Sequence, residues 1–304
     1  MSAPVKSSPS GTVEEQPSAA QRYGWLAWRM VRPFLVAYLV VLLMLMILEN
    51  SLTYVPTKHP QGDWQPPGLK FEDAEFASTD GTPLHGWFSE VADPLAVVLF
   101  CHGNAGNVTH RAEVIAALNK MQATVLVFDY RGYGKSGGSP HEAGVLADAR
   151  AARKWLAERA SLPETEIVLM GESLGGGVAV HLAAHDGARG LVLEDTFTSL
   201  PDAAAIHYPW LPVRLLMRGK LNSLASIANY RGPLLMSHGD ADSIVPYRLG
   251  QQLFAAANEP KQFLTHDGAD HNAERSLEFY EALNQFLRKL PQNTGTGAPA
   301  RNGQ

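Results

Sequence analysis

Hydrophobic residues are distributed along this chain in two different ways. Near the N-terminus, Pro33 to Leu48 (PFLVAYLVVLLMLMIL) is an uncharged run of 16 residues, and counting back to Met30 gives 19 broken only by Arg32. A bilayer span needs about 20 apolar residues, with a lower limit near 17. The run is long enough if Arg32 carries its guanidinium up to the headgroups. Trp25 and Trp28 before it and Tyr54 after it suit the two interfaces. Arg22, Arg29 and Arg32 precede the run and Glu49 follows it, which puts the N-terminus on the cytoplasmic side. A cleaved signal peptide has the same charge layout, but its apolar part is usually about 7–15 residues, and ENSLTYVP offers no small-x-small site. A buried core helix would have to carry Leu, Val and Met on every face. The reading is an uncleaved anchor over residues 30–50, behind a disordered basic segment 1–29.

Beyond residue 50 the pattern changes to short strands and amphipathic helices. Segments 69–78 and 83–90 flank the turn dipeptide Asp80-Gly81 and read as a hairpin. Six continuous or near-continuous apolar runs follow, at 95–100, 123–130, 165–171, 189–195, 232–239 and 261–265, as strands buried on both faces require. Helical periodicity fills the gaps at 111–121, 142–159, 174–185, 249–257 and 274–290. The last of these stripes Leu277, Tyr280, Leu283 and Leu287 along one face. Strand–helix alternation with connections of this length predicts an α/β fold: a mostly parallel eight-stranded sheet with helices on both faces. One domain spans 51–290. Residues 200–231 hold three prolines and no clear strand and read as a short cap above the C-terminal edge of the sheet. Residues 291–304 read as a disordered tail.

Composition adds a few exclusions. The 304 residues carry 25 basic and 30 acidic side chains, so no domain-wide basic field points to nucleic acid. One cysteine excludes an intramolecular disulfide. The eleven histidines are scattered without a paired metal-binding spacing, and neither a metal nor another cofactor is expected. Residues 1–32 hold four basic and two acidic side chains, which leaves −7 of the net −5 on the remainder.

Three glycine motifs compete for the chemistry. Gly132, Gly134 and Gly137 satisfy the dinucleotide spacing, but Gly138, Ser139 and Pro140 intervene before a helix can begin. A phosphate loop would need glycine where Asp129 stands. Gly-x-Ser-x-Gly occurs twice, around Ser136 and around Ser173. Only the second follows an apolar strand (EIVLM) and enters a helix (LGGGVAVHLAAH) at once. That strand–turn–helix context lifts a serine hydroxyl clear of a sheet, where an ordinary N-cap serine is the bland alternative.

A serine hydroxyl needs a base to become a nucleophile. The elbow scheme orders the chain as serine, acid, histidine. The loop HGDADSIVP offers Asp242, with Asp240 as the alternative that would pin the turn through its own backbone. Asp195 at the end of an earlier strand is a displaced acid candidate. His271 stands 29 residues after Asp242, ahead of the last helix. His266 ends the strand itself and points elsewhere, while His207 and His238 stay unassigned. For the oxyanion, two backbone donors are expected: Leu174, directly after the serine, and Asn104 in CHGNAGN, with Ala105 second. Cys101 reads as buried at a strand end.

The set HGNAGN, DYRGYGKSGG, GESLGG, HGDADSIVP and GADHN resembles the α/β-hydrolase superfamily, closest to the single-pass membrane-anchored hydrolase-domain proteins and their bacterial relatives, which are similar to serine aminopeptidases. The likeness covers about residues 50–290. It implies a triad of Ser173, Asp242 and His271, with Asn104 and Leu174 as the oxyanion hole. It also implies hydrolysis of an ester or thioester without specifying the substrate; a small-molecule or lipid-like acyl substrate is the expectation that the anchor's location and the aromatic cap add. Members that remove acyl chains from proteins carry an N-terminal cysteine cluster, and this chain has no cysteine before Cys101. The alternatives are a serine peptidase and a non-catalytic membrane-anchored binding protein. The cap aromatics Tyr208, Trp210 and Tyr230 are placed to take an acyl chain. The anchor implies a catalytic domain on the non-cytoplasmic side, and nothing in the sequence identifies a protein partner.

Overall fold

The computed structural model describes residues 19–291, apart from the side chains of residues 21 and 22. The first 18 residues and all but the first residue of the expected tail 291–304 lie outside this range. The chain divides into two compact units, 1–47 and 48–304.

In the first unit, helix α1 (Ala19–Thr53, which continues into the second unit) begins eleven residues before the expected anchor. Residues 19–29, read above as disordered, are helical. Ala, Leu, Trp and Arg are adequate helix formers, and Gly24 alone does not outweigh a helix nucleated by the long run after it. From Tyr23 to Thr53 the helix is long and apolar enough to cross a bilayer. Large apolar side chains, Phe34, Leu39 and Ile47 among them, are exposed around it. Pro33 sits inside the helix, where its missing N–H is tolerated more readily than in a soluble helix.

Among the described residues the second unit holds ten strands: β1 (Val55–Pro56), β2 (Glu72–Ala77), β3 (Pro83–Ser89), β4 (Ala96–Cys101), β5 (Ala105–Gly106), β6 (Ala123–Asp129), β7 (Val168–Glu172), β8 (Gly190–Glu194), β9 (Leu234–Gly239) and β10 (Lys261–His266). Eight form one sheet in the order β10-β9-β8-β7-β4-β6-β3-β2. β3 runs antiparallel to β2 and β6, and every other pairing is parallel. These are the eight strands expected, in the α/β-hydrolase arrangement. The remaining helices are α2 (Ala112–Lys120), α3 (Glu142–Ala160), α4 (Leu174–Asp186), α5 (Leu200–His207), α6 (Val213–Leu216), α7 (Ser223–Ile227), α8 (Tyr247–Ala256) and α9 (Leu277–Lys289).

The two-residue period of β4 sorts its side chains between two cores. Val97, Leu99 and Cys101 join Val145, Val178 and Leu249 from α3, α4 and α8. Ala96, Val98 and Phe100 join Ile115, Leu118, Phe279 and Leu283 from α2 and α9. Burial on both faces is why these strands read as unbroken apolar runs. Helix α9 starts three residues later than its periodicity suggested, because the Ser276 hydroxyl caps it by accepting the Phe279 N–H at 3.1 Å.

The pairing of β1 with β5 was not expected. Val55 and Pro56 run parallel to Ala105 and Gly106, so the segment leaving α1 lies along the loop after β4. Tyr54, read above as an interfacial aromatic, is buried in the second unit's core beside Tyr133. An aromatic flanking an apolar run serves either place, and here the β1 pairing pulls it inward.

Candidate active site

Ser173 occupies the junction between β7 and α4 with φ 50° and ψ −116°. A positive φ costs a serine about 1–3 kcal/mol and persists only where the surroundings enforce it. Here the Ser173 N–H donates to the Glu194 carbonyl at 2.9 Å, and the Ser173 carbonyl accepts from Thr196 Oγ1 at 2.8 Å. A side chain at Gly171 would strike the Gly175 carbonyl, and one at Gly175 would strike the carbonyls of Cys101 and His102. Both glycines are therefore required by close backbone approach, and the second packs the elbow against the loop after β4.

His271 reaches this serine from the loop after β10. Its Nε2 lies 3.0 Å from Ser173 Oγ, and its Nδ1 lies 2.7 Å from Asp242 Oδ2. The other Asp242 oxygen accepts the N–H groups of Ile244 at 2.9 Å and Val245 at 2.7 Å. Burial alone would raise the Asp242 carboxyl; its bonds to His238 and His271 instead hold it well below the ordinary carboxylate range. Burial would likewise lower His271, but the bond and charge of Asp242 raise it above the ordinary imidazole value.

The acid and base loops are stitched to one another. Asp270 Oδ1 accepts the N–H of His271 and both the N–H and the hydroxyl of Ser243, each at 2.8 Å. Asp240 Oδ1 accepts the Gly268 N–H at 2.6 Å. The expected role of Asp240 is thus corrected: it braces the neighbouring loop, and Asp242 caps its own turn while also holding His271. A carboxylate has two oxygens and about four acceptor sites, so one residue can do both.

Asn104 lies in the loop after β4. Its carbonyl accepts the Tyr133 hydroxyl at 2.8 Å, and its Oδ1 accepts the Val55 N–H at 3.2 Å. Leu174 heads α4, where backbone N–H groups favour negative charge.

Two features beside Ser173, His271 and Asp242 escaped the sequence reading. His238, fully buried, places Nε2 3.2 Å from Asp242 Oδ2 and 2.8 Å from the Val245 carbonyl, behind the carboxylate. The residue before Ser173, Glu172, joins a network of four charges. Arg111 lies 2.5 Å from its Oε1, and Arg275 Nη2 lies 2.6 Å from its Oε2. Arg275 Nε also meets Glu194 Oε2 at 2.6 Å. Glu172 Oε1 further accepts the Gly103 N–H at 3.1 Å, so the network joins the loops carrying Asn104, Ser173 and His271. Burial opposes ionisation of Glu172, but Arg111 and Arg275 hold it down at about 2. Replacing Arg275 with Met leaves two largely buried carboxylates short of their partner. The expected cost is about 3–5 kcal/mol of unfolding free energy, read as a lower denaturant midpoint.

The competing candidates have structural duties. Ser136 is buried, donates to the Asp129 carbonyl at 2.7 Å and accepts the His85 N–H at 2.9 Å. Asp195 accepts the Gly239 N–H at 2.9 Å, and the partner of His271 is Asp242. Asp195, His238 and Asp242 offer ligand atoms within 4.8 Å of one another, yet both Asp242 oxygens are already engaged. Cys101 is buried and its thiol pushed up to about 12. Tyr230 is corrected: it is buried, with its hydroxyl 3.1 Å from the Pro233 carbonyl, below the start of β9 and so at the sheet end opposite the serine.

Residues 96–219 match the family model described as alpha/beta hydrolase fold. The chain is 39% identical over 246 residues to the uncharacterized protein Rv2307c of Mycobacterium tuberculosis, covering 79% of this chain and 87% of that one. It is 32% identical over 237 residues to the alpha/beta hydrolase domain-containing protein WAV2 of Arabidopsis thaliana, covering 70% and 77%. Among solved structures, an esterase of Pyrococcus furiosus matches with a TM-score of 0.64 at 23% identity, over 78% of this chain and 99% of that one. An acetyl xylan esterase from Paenibacillus matches at 0.61 and 19%, over 75% and 86%. At these identities the structures speak for the fold.

Proposed function

Because the chain belongs to the α/β-hydrolase family, we propose that its esterase-type chemistry is that of a serine hydrolase acting on a carboxylic ester or thioester through an acyl-enzyme. The observation that carries this reading is the unbroken chain Ser173 Oγ, His271, Asp242, with bonds of 3.0 and 2.7 Å at a strained elbow. Ser173 Oγ attacks the acyl carbonyl while its proton passes to His271 Nε2. Asp242 keeps the other imidazole N–H directed at itself and stabilises the imidazolium. The N–H groups of Leu174 and Asn104 receive the developing oxyanion. Collapse expels the alcohol or thiol, which takes the proton from His271. Water then gives a proton to His271 and its oxygen to the acyl carbon, and the acid leaves with Ser173 restored.

The substrate class in this reading is lipid-like. The apolar α1 is a membrane anchor with its N-terminus cytoplasmic, and the hydrolase unit lies on the other side, at the bilayer surface. Each methylene that the site buries is worth at most about 0.8 kcal/mol, or roughly fourfold in kcat/KM. With p-nitrophenyl esters from C2 to C16, kcat/KM is expected to climb beyond C2 before levelling. A maximum at C2 would sink the lipid preference and leave the serine chemistry untouched.

A further inference from the structure

The cap binds the residue that ends the apolar run. Glu49, the first residue past Leu48, is buried within the second unit, where its carboxylate accepts the N–H groups of Arg218 at 2.8 Å and Gly219 at 2.7 Å. Arg218 Nε adds an ion pair at 3.2 Å. The next residue, Lys220, donates its N–H to Glu142. Residues 218 and 219 are thereby clamped to the exit of α1 and residue 220 to the start of α3, while β1 clamps the same exit to the loop carrying Asn104.

The cap segment just before this clamp is apolar and faces water. Leu215 is 81% exposed, Trp210 62% and Tyr208 50%. Leu52 and Val55 at the exit itself are 59% and 56% exposed. Charge sets the segment apart as well. Residues 200–231 hold four basic side chains and one acidic, in a body that is otherwise acidic. Exposed Trp, Tyr and Leu interleaved with arginines is the composition of a surface that seats at the boundary of headgroups and acyl chains, where anionic lipid adds attraction. The cap also touches the acid loop, because His207 Nε2 lies 2.7 Å from the carbonyl of Ile244, two residues after Asp242.

We infer that the cap tip, Tyr208, Trp210 and Leu215 with Arg214 beside them, docks on the anionic lipid–water interface of the membrane that α1 spans. This rests on the anchor reading above. Docking holds the mouth of the site against the bilayer, so that an acyl chain passes from the membrane to Ser173 without crossing bulk water.

The test uses the full chain bearing Leu215→Cys, labelled with the environment-sensitive dye NBD. Cys101 is buried and does not compete for the label. A control chain carries Ala92→Cys, an exposed position ahead of β4 at the opposite end of the sheet. Both are reconstituted in vesicles of phosphatidylcholine with one quarter phosphatidylglycerol. The expected result has three parts. NBD at 215 is blue-shifted, is several-fold less quenched by iodide than NBD at 92, and is quenched by a lipid nitroxide on the fifth acyl carbon. Equal iodide quenching at the two positions in floated vesicles would overturn docking. Shielding without nitroxide quenching would assign the face to a protein partner or a second copy instead. A chain that fails to float with the vesicles would overturn the anchor and docking together. Fluorophosphonate labelling in the same vesicles reports separately on the serine chemistry. Its failure with nitroxide quenching intact removes the hydrolase reading and leaves the docking surface standing.

Discussion

Replacing Ser173 with alanine is expected to lower kcat for an activated ester by about 10⁴–10⁶-fold, with the fold retained. The Ser173 hydroxyl bonds to His271 alone among the contacts described above, whereas the elbow is held by main-chain bonds to Glu194, Thr196 and Gly176. Removing the hydroxyl therefore deletes the proposed nucleophile and leaves the turn. The contrasting case is the other Gly-x-Ser-x-Gly serine. Ser136→Ala breaks two buried hydrogen bonds, one to the Asp129 carbonyl and one from the His85 N–H. It is expected to cost about 1–3 kcal/mol of stability and to keep fluorophosphonate labelling. Steady-state kinetics and thermal unfolding of the two variants separate nucleophile from rivet. Equal losses of turnover in folded protein would remove the assignment.

The second large effect is expected from Asp242→Asn, at about 10⁴-fold in kcat. Asp242 accepts the N–H groups of Ile244 and Val245 on one oxygen, and its other oxygen faces both His271 Nδ1 at 2.7 Å and His238 Nε2 at 3.2 Å. The backbone donors fix the amide oxygen of an asparagine at the first position, which turns its NH₂ toward His271. Nδ1 must then accept, the ring proton moves to Nε2, and Nε2 can no longer take a proton from Ser173. The pH profile carries the same information. In the proposed mechanism the neutral imidazole is the base, so kcat/KM is expected to fall as pH drops through the His271 pKa, and the Asp242 bond and charge raise that value above about 6.5. With asparagine the raising influence of Asp242 is lost and burial remains, so the acid limb of residual activity moves to lower pH. Stability runs the other way. The raised imidazole contributes stability that is complete below about pH 6.5 and fades as pH rises through the folded value. A limb unmoved in Asp242→Asn would assign the controlling ionisation to another group.

What the sequence disclosed, and what it hid, follows from the range of the interactions. Six of the eight sheet strands were legible as apolar runs, which burial on both faces writes most plainly at Ala96–Cys101 and Ala123–Asp129, and β2 and β3 were legible from the Asp80-Gly81 turn between them. Ser173, Asp242 and His271 could be grouped from the sequence because each lies in the segment that follows a strand at the same edge of a parallel sheet, an arrangement that survives in chain order. β1 and β5 were not, since two residues each leave no periodicity to detect. Glu172, Arg275 and Glu194 meet across separations of 103 and 81 residues. Nothing local marks those charges as partners. His238 looked like a packing histidine and does pack, but against the carboxylate that orients His271. Tyr54 was misplaced because an aromatic beside an apolar run has the same local signature at a membrane interface and in a core. Asp242 and not Asp240 lies against His271, and the turn-capping duty expected of Asp240 falls to Asp242 as well, because the distance between strand ends and not the turn itself decides which carboxylate reaches across.

Proteolytic mapping by mass spectrometry after brief exposure of the folded, full-length chain to a fluorophosphonate tests the serine assignment most directly. The expected result is one phosphonyl adduct, on Ser173, formed slowly or not at all in Asp242→Asn. An adduct on Ser136, or a folded chain that takes no adduct, would contradict it.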